Sequence, residues 1–117
     1  MDTIMAGLAC GEPRTIGGNI LSDYADDFVS IPDWIAAKGM RVLGNPLRDD
    51  PRVISGESGA ATIGLVTEIL HNPSLGWLKD MLKLDKASRI LCFSTEGDTD
   101  RENYRRIVWD GAISNCE

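Results

Sequence analysis

The chain has 117 residues, of which 43% are hydrophobic and 26% are charged, and these fractions are typical of one soluble globular domain. Its 18 acidic and 12 basic residues give a formal net charge of -6, which argues against a nucleic-acid-binding protein and against attraction to an anionic membrane surface. Because no apolar segment approaches the ~20 residues that cross a bilayer, and Met1-Asp2-Thr3 is not a basic leader, we expect a cytoplasmic protein.

The three cysteines form no recognisable disulfide or metal-binding pattern. Cys10, Cys92 and Cys116 are odd in number, lie far apart and include no C-x-x-C pair. We therefore predict three reduced thiols, with Cys92 packed as a small hydrophobic side chain, and no metal site.

The first thirty residues predict short elements separated by breakers. Residues 1–13 are mostly small and apolar and end in a Gly-Glu-Pro turn. Asn19 can cap a short helix over residues 20–24, and residues 28–31 have the composition of a short strand.

A longer helix follows. Ser30, with Pro32 in the first turn and Asp33 three residues after Ser30, is a typical helix start and predicts a helix over residues 32–40. Residues 44–51, a Gly-Asn-Pro breaker followed by a charged stretch, end this helix and predict a solvated surface loop.

The middle of the chain predicts a strand, a polar turn and a helix. Residues 53–54 precede a Ser-Gly-Glu-Ser-Gly turn at 55–59, and apolar residues then recur with helical spacing over 60–70. Ser58 is the predicted N-cap of this helix. A second, shorter helix begins at Asn72.

The C-terminal third repeats the same order. Residues 90–93 (Ile-Leu-Cys-Phe) are an apolar run without polar alternation, the pattern of a strand that is covered on both faces. A Ser-Thr-Glu-Gly turn follows at 94–97. Thr99 and Glu102 then have the spacing of a capping box, which predicts a helix that starts at Asp100.

These two units predict an α/β fold, part of an open, mostly parallel sheet with flanking helices. Parallel strands joined by a helical crossover place both of their turns at the same edge of the sheet, where such sheets bind ligands. The turns at 55–59 and 94–97 would then share one crevice.

The side chains of these turns allow two interpretations. Ser94, Thr95, Glu57 and Glu96 could bind a neutral or nitrogen-bearing ligand, because a hydroxyl can donate to or accept from a ring nitrogen and a carboxylate can tune its charge. A phosphate is less suitable, since each turn carries a Glu and neither has a phosphate-loop motif. Alternatively, the serines (Ser58 included) cap helices and the glutamates occupy the favourable end of a helix dipole.

The chain by itself offers no convincing catalytic residue. His71, the one histidine, follows a predicted helix and is expected to interact with its free carbonyls. The lysines fall on polar helix faces or in loops, and no nucleophilic triad is present.

Several long motifs resemble the C-terminal part of the diaminopropionate ammonia-lyase family. The motifs are TIMAGLACGEP at 3–13, GMRVLGNP at 39–46, DPRVISGESGA at 50–60 and STEGDTD at 94–100, followed by Tyr104 and Val108-Trp109. The resemblance implies a fold-type II pyridoxal-phosphate enzyme and a homodimer that degrades the amino acid 2,3-diaminopropionate to pyruvate and ammonia.

The resemblance also implies roles for individual residues. Ser94, with Thr95 next to it, corresponds to the serine that faces the pyridine nitrogen of pyridoxal 5'-phosphate, and Glu57 corresponds to a glutamate near the cofactor ring. A neutral hydroxyl at this position would keep the pyridine unprotonated. Met5, Ala6 and Gly7 match a segment on the substrate side of the cofactor.

Other parts of the family pattern are missing from the sequence. The Schiff-base lysine, the Gly-rich phosphate loop and the acid/base residues of the family lie N-terminal to the matching region, and Gly17-Gly18 stands where bulkier residues are expected. Residues 1–117 are therefore expected to be the C-terminal portion of a lyase domain that is inactive by itself. The alternative is a non-catalytic remnant or interaction domain.

Overall fold

The structure is a computed structural model and describes residues 23–114. Four α-helices and one 3₁₀ helix lie within these residues. They are α1 (Asp33–Gly44), α2 (Glu57–His71), the 3₁₀ helix (Pro73–Leu75), α3 (Gly76–Met81) and α4 (Arg101–Val108). Asp23 and Tyr24 are also helical, while residues 20–22 of the helix predicted there lie outside the described residues.

The predicted α/β fold, an open parallel sheet as in the large domain of fold-type II pyridoxal-phosphate enzymes, is wrong for residues 23–114. The segments 28–31, 53–54 and 90–93 form no strand. Apolar composition favours an extended backbone, but a strand exists only when a second backbone pairs with it, and the described residues supply no such ladder. The run at 90–93 is also not covered, since Leu91 is 78% exposed and Phe93 is 71% exposed.

The helices α1 and α2 cross in close contact and form the centre of the fold. A Cβ atom on Gly39 would overlap the carbonyl oxygen of Ala60, and one on Gly64 would overlap the carbonyl oxygen of Ile35. The two backbones therefore touch where both helices lack a side chain, and the small residues around them are fully buried. The core residues with no exposed surface are Ala36, Ala37, Met40, Ala60 and, from α4, Ile107.

An ion pair joins the same two helices. The Nζ of Lys38 donates to Oε1 of Glu68, and Nδ2 of Asn72 donates to the other oxygen of this carboxylate at 3.2 Å. Burial alone would raise the pKa of Glu68, but the hydrogen bonds from Lys38 and Asn72, with the charges of Lys38 and His71, lower it below its usual value. The carboxylate is thus held in its charged form although it is buried.

The four helices predicted after residue 30 are confirmed, with small changes at their starts. The first begins at Asp33 with Pro32 as its N-cap, so Ser30 is not the cap, and it ends at Gly44 as expected. The helix after the second turn begins at Arg101, because Oδ1 of Asp100 accepts from the backbone N–H of Asn103 at 3.1 Å. The predicted loop at 47–51 is exposed throughout.

No helix among residues 23–114 has the length and apolar character that would let it span a membrane.

Candidate functional site

The turns at 55–59 and 94–97 meet, as the sequence predicts, although no sheet holds them. The hydroxyl oxygens of Ser55 and Ser94 lie 2.8 Å apart, which is the distance of a good hydrogen bond. The backbone N–H of Gly56 donates to the carbonyl oxygen of Glu96 at 3.0 Å. Two segments about forty residues apart in sequence are therefore joined through both backbone and side chains.

Glycines in the first turn make this approach possible. A Cβ atom on Gly59 would lie 2.6 Å from Oγ of Ser55 and 3.0 Å from Oγ of Ser94. On Gly56 it would lie 2.5 Å from the carbonyl oxygen of Gly97. Real Cβ atoms do not approach other atoms so closely, and the two glycines of the Ser-Gly-Glu-Ser-Gly pattern are thus required for packing.

The two hydroxyls differ in exposure. Ser55 is fully buried, whereas Ser94 and the neighbouring Thr95 are exposed. Ser94 is therefore accessible to a ligand, while the buried Ser55 holds the Ser94 side chain through a hydrogen bond. The sequence gives no indication of this role for Ser55, because its partner lies 39 residues away.

Glu96 has the role given by the alternative interpretation of the turns, in which a glutamate occupies the favourable end of a helix dipole. Its Oε1 accepts from the backbone N–H of Ser58 at 3.2 Å, so a carboxylate from the second turn satisfies a free amide at the start of α2. Ser58 is not the N-cap, because α2 begins at Glu57 after Gly56. The hydroxyl of Ser58 is buried and has no hydrogen-bond partner among the described residues.

Glu57 is held by residues of α4. The Nδ2 of Asn103 donates to Oε1 of Glu57. Arg106 donates from Nε at 3.1 Å and from Nη2 at 2.7 Å to Oδ1 of the same asparagine. A guanidinium donates only, so these bonds fix the asparagine amide with its NH₂ group toward Glu57. The sequence gives no indication of this series of hydrogen bonds, which runs from Arg106 through Asn103 to Glu57.

The remaining candidates have structural roles or lie outside the described residues. Nδ1 of His71 lies 3.0 Å from the carbonyl oxygen of Thr67 in the last turn of α2, as expected for a histidine at a helix C-terminus. Cys92 is a half-buried free thiol. Met5, Ala6 and Gly7 lie outside residues 23–114, as do Cys10 and Cys116. Within the described part of the chain, no group of three or more metal-binding side chains comes together.

The arrangement is suited to a ligand that carries a hydrogen-bonding nitrogen. The hydroxyl of the exposed residue Ser94 is hydrogen-bonded to that of the buried Ser55. The carboxylate of Glu57, which Asn103 orients, lies on the first turn. A hydroxyl can donate one proton and accept at its lone pairs, so it can pair with a ring nitrogen of either protonation state. A free phosphate would instead meet two carboxylates close to the helix start.

Comparison with known proteins gives one consistent group of relatives. No family model matches the chain. The diaminopropionate ammonia-lyase of Escherichia coli strain K12 is 52% identical over 111 residues, which are 95% of this chain and 28% of that enzyme. The chain therefore spans less than a third of the length of the curated relative.

Solved structures of the same Escherichia coli enzyme contain a segment with the fold of this chain. The enzyme in complex with an aminoacrylate-PLP azomethine reaction intermediate superposes with a TM-score of 0.93 and 50% identity, over 97% of this chain and 30% of the crystallised one. The complex with D-serine gives a TM-score of 0.90 and 50% identity, over 97% of this chain and 29% of the other. The chain is similar to one segment of a much longer protein.

Proposed function

We propose that this chain, which is homologous to the diaminopropionate ammonia-lyases over nearly its whole length, is the C-terminal portion of such an enzyme and supplies part of its cofactor site. The enzyme degrades 2,3-diaminopropionate to pyruvate and ammonia with pyridoxal 5'-phosphate. The observation that carries the proposal is the pair of joined turns, in which the exposed residue Ser94, in a motif that resembles the family, is hydrogen-bonded to Ser55.

The residues of the joined turns fit the cofactor. Ser94 offers a neutral hydroxyl to the pyridine nitrogen, and the exposed Thr95 lies next to it. Gly59 leaves the space in which the Ser94 hydroxyl lies against α2. Bound pyridoxal phosphate supplies an electron sink for breaking bonds at the α-carbon of an amino acid.

A hydroxyl at the ring nitrogen, unlike a carboxylate, supplies no negative charge that would keep the nitrogen protonated. A serine hydroxyl has no readily transferred proton, so it hydrogen-bonds to the pyridine nitrogen without protonating it. Glu57, oriented by Asn103, contributes a fixed negative charge near the ring. Met5, Ala6 and Gly7 contribute to the substrate side of the site.

The chain by itself does not catalyse the reaction. Within the described residues, Lys38 is engaged by Glu68 and is not available as a Schiff-base lysine. Lys83 and Lys86 are exposed and lack the desolvated surroundings that activate a lysine. The lysine, the phosphate loop and the acid/base groups belong to other parts of the enzyme, which is a cytoplasmic homodimer acting on a small amino-acid substrate.

A segment exchange tests the proposal. In the Escherichia coli enzyme, the segment matched by this chain is replaced by the chain, and pyruvate is assayed after addition of 2,3-diaminopropionate. We expect the exchanged enzyme, called the chimera below, to bind pyridoxal phosphate and form pyruvate, and the 117-residue chain alone to form none. The combined Ser94→Ala and Thr95→Ala change in the chimera should lower cofactor affinity about tenfold or more.

Two results would contradict the proposal. A chimera that elutes as the Escherichia coli enzyme does and binds the cofactor, yet forms no pyruvate, would favour a non-catalytic remnant. A double variant with unchanged cofactor spectrum and turnover would show that the hydroxyls of the second turn do not face the ring.

A further inference from the structure

The geometry points to Ser55 as a positioning residue that directs the hydroxyl proton of Ser94 toward the pyridine nitrogen of the cofactor. This inference rests on the proposed function and adds to it a residue that the family resemblance did not assign. It concerns how a neutral hydroxyl is made to donate rather than to accept.

The two hydroxyls share two protons, and the surroundings of Ser55 limit where these protons can go. Ser55 is fully buried, with the hydroxyl of Ser94 at 2.8 Å and the carbonyl oxygen of Gly56 at 3.3 Å as its hydrogen-bond partners. An O–H···O bond is normally 2.5–3.0 Å long, so the carbonyl is a poor acceptor at this distance. The proton of Ser55 is best used in the short bond to Ser94.

This use of the Ser55 proton decides the direction of the second proton. If Ser55 donates to Ser94, the proton of Ser94 has no partner within the pair and points outward, where the residue is exposed. If Ser94 donates to Ser55 instead, the Ser55 proton is left with the distant carbonyl, and Ser94 can only accept. The first arrangement suits an unprotonated pyridine nitrogen, which accepts a hydrogen bond, and the second suits a protonated one, which donates.

The pair is also fixed in place. Both oxygen atoms lie close to the position that a Cβ on Gly59 would take, and the backbone N–H nitrogen of Thr95 is within 2.9 Å of that position. Both hydroxyls are therefore packed against the start of α2 at Gly59, where a larger residue would displace them. A buried Ser55 that uses its proton in the shorter of its two hydrogen bonds thus stabilises the unprotonated cofactor ring through Ser94.

The test measures the protonation of the ring nitrogen in the chimera. The ¹⁵N chemical shift of ring-labelled pyridoxal phosphate is recorded as pH is varied. Ser55→Ala removes the hydroxyl that donates to Ser94, so the ring nitrogen should protonate more readily. The midpoint of its titration should then move to higher pH by about half a unit or more. Ser58→Ala is the matched control, because Ser58 is a buried serine of the same turn without a hydrogen-bond partner among the described residues. Its midpoint should not move.

A second variant keeps the test decisive if Ser55→Ala loses the cofactor. Ser55→Cys retains a weaker donor and should give a smaller shift in the same direction. The effect of Ser55→Ala should also vanish in the Ser94→Ala background, since Ser55 acts through Ser94. A shift no larger than that of Ser58→Ala, or one that persists without the Ser94 hydroxyl, overturns the inference. If the unmodified chimera binds no cofactor, the proposed function itself fails, which is a different result.

Discussion

Two regions of the molecule differ in how fully they are buried: the crossing of α1 and α2, and the joined turns at 55–59 and 94–97. At the crossing, Ala36, Ala37 and Met40 are fully buried by other described residues. At the turns, the glycines and hydroxyls pack on one side, while Ser94 and three residues of the apolar run, Ile90, Leu91 and Phe93, are exposed. The first region is thus specified by its own residues, whereas the second presents a surface that the described residues do not cover.

The strongest test of the first region is Gly64→Ala. The added methyl group would overlap the carbonyl oxygen of Ile35, and a backbone atom cannot rotate away as a side chain can. Alanine favours a helix more than glycine does, but the overlap forces the helices apart, and we expect a net loss of about 2–3 kcal/mol in the free energy of unfolding. Urea unfolding of the 117-residue chain measures this loss.

Gly76→Ala is the matched control for this change. Gly76 lies in the first turn of α3, and a Cβ there would meet nothing within 4 Å. The control should leave stability unchanged or raise it slightly. Equal losses from both substitutions would show that the close crossing is not the centre of the fold.

Lys38→Met tests the ion pair at the crossing. Removal of one partner from a fully buried pair costs ~3–5 kcal/mol, but the lysine side chain is 37% exposed and therefore partly screened by water, so we expect a loss of about 1 kcal/mol near pH 7. The pKa of Glu68 is lowered in the folded chain. The stabilisation that Glu68 contributes is therefore fully present above the pKa that Glu68 has in the unfolded chain. It is lost as pH falls through the lower pKa that Glu68 has in the folded chain.

The measurement is the difference in unfolding free energy between the unchanged chain and Lys38→Met as pH is lowered. This difference should shrink once Glu68 becomes protonated. Lys86→Met, at an exposed lysine, serves as the control and should show a small difference at every pH. A Lys38→Met loss that stays constant into acid would mean that the lysine contributes packing rather than charge.

The features predicted from sequence are those with a local cause. The helix α1 follows from the pattern around Pro32 and Asp33. The meeting of the two turns was predicted from a parallel sheet that residues 23–114 do not form, so the reasoning behind that prediction is wrong although the turns do meet. The predicted strands are wrong because a strand depends on a partner backbone, which a local pattern cannot supply.

The missed features of the site join residues that are distant in sequence. Ser55 bonds to Ser94 over 39 residues, and Asn103 bonds to Glu57 over 46. Serine and asparagine at these positions are compatible with an ordinary turn and an ordinary helix surface. Only the packing of α4 and the second turn against α2 reveals which of their polar side chains face each other.

Asn103→Ala tests the polar side of the joined turns. The change removes the donor to Glu57, and we expect cofactor affinity in the chimera to fall about threefold to tenfold, as for the loss of one typical hydrogen bond of about 0.7–1.4 kcal/mol. Asn103→Asp should be worse, because it places a second carboxylate against Glu57. Arg101→Ala, at an exposed position on the same helix, is the control and should bind as the unmodified chimera does. If the aspartate variant binds no more weakly than the alanine variant, Glu57 is not held by this contact.

Leu91→Ser tests the open side of the joined turns and should have the smallest effect on the chain itself. Leu91 is 78% exposed, so its loss should change the unfolding free energy of the 117-residue chain by no more than about 0.5 kcal/mol. Leu47, in the charged loop, is 77% exposed and provides a control of the same residue type. In the crystallised relative the matching segment is only 30% of the chain, so the remainder of that enzyme is available to cover the apolar run.

In the chimera the two leucines should therefore behave differently. Leu91→Ser should cost about 2–3 kcal/mol, because a leucine that is buried by the rest of the enzyme loses both its transfer free energy and its packing. Leu47→Ser should stay near zero, since a charged loop is expected to remain in water. Equal, small losses for both leucines would mean that the run at 90–93 stays exposed in the whole enzyme. The open side of the turns would then be a surface of the enzyme rather than a contact within it.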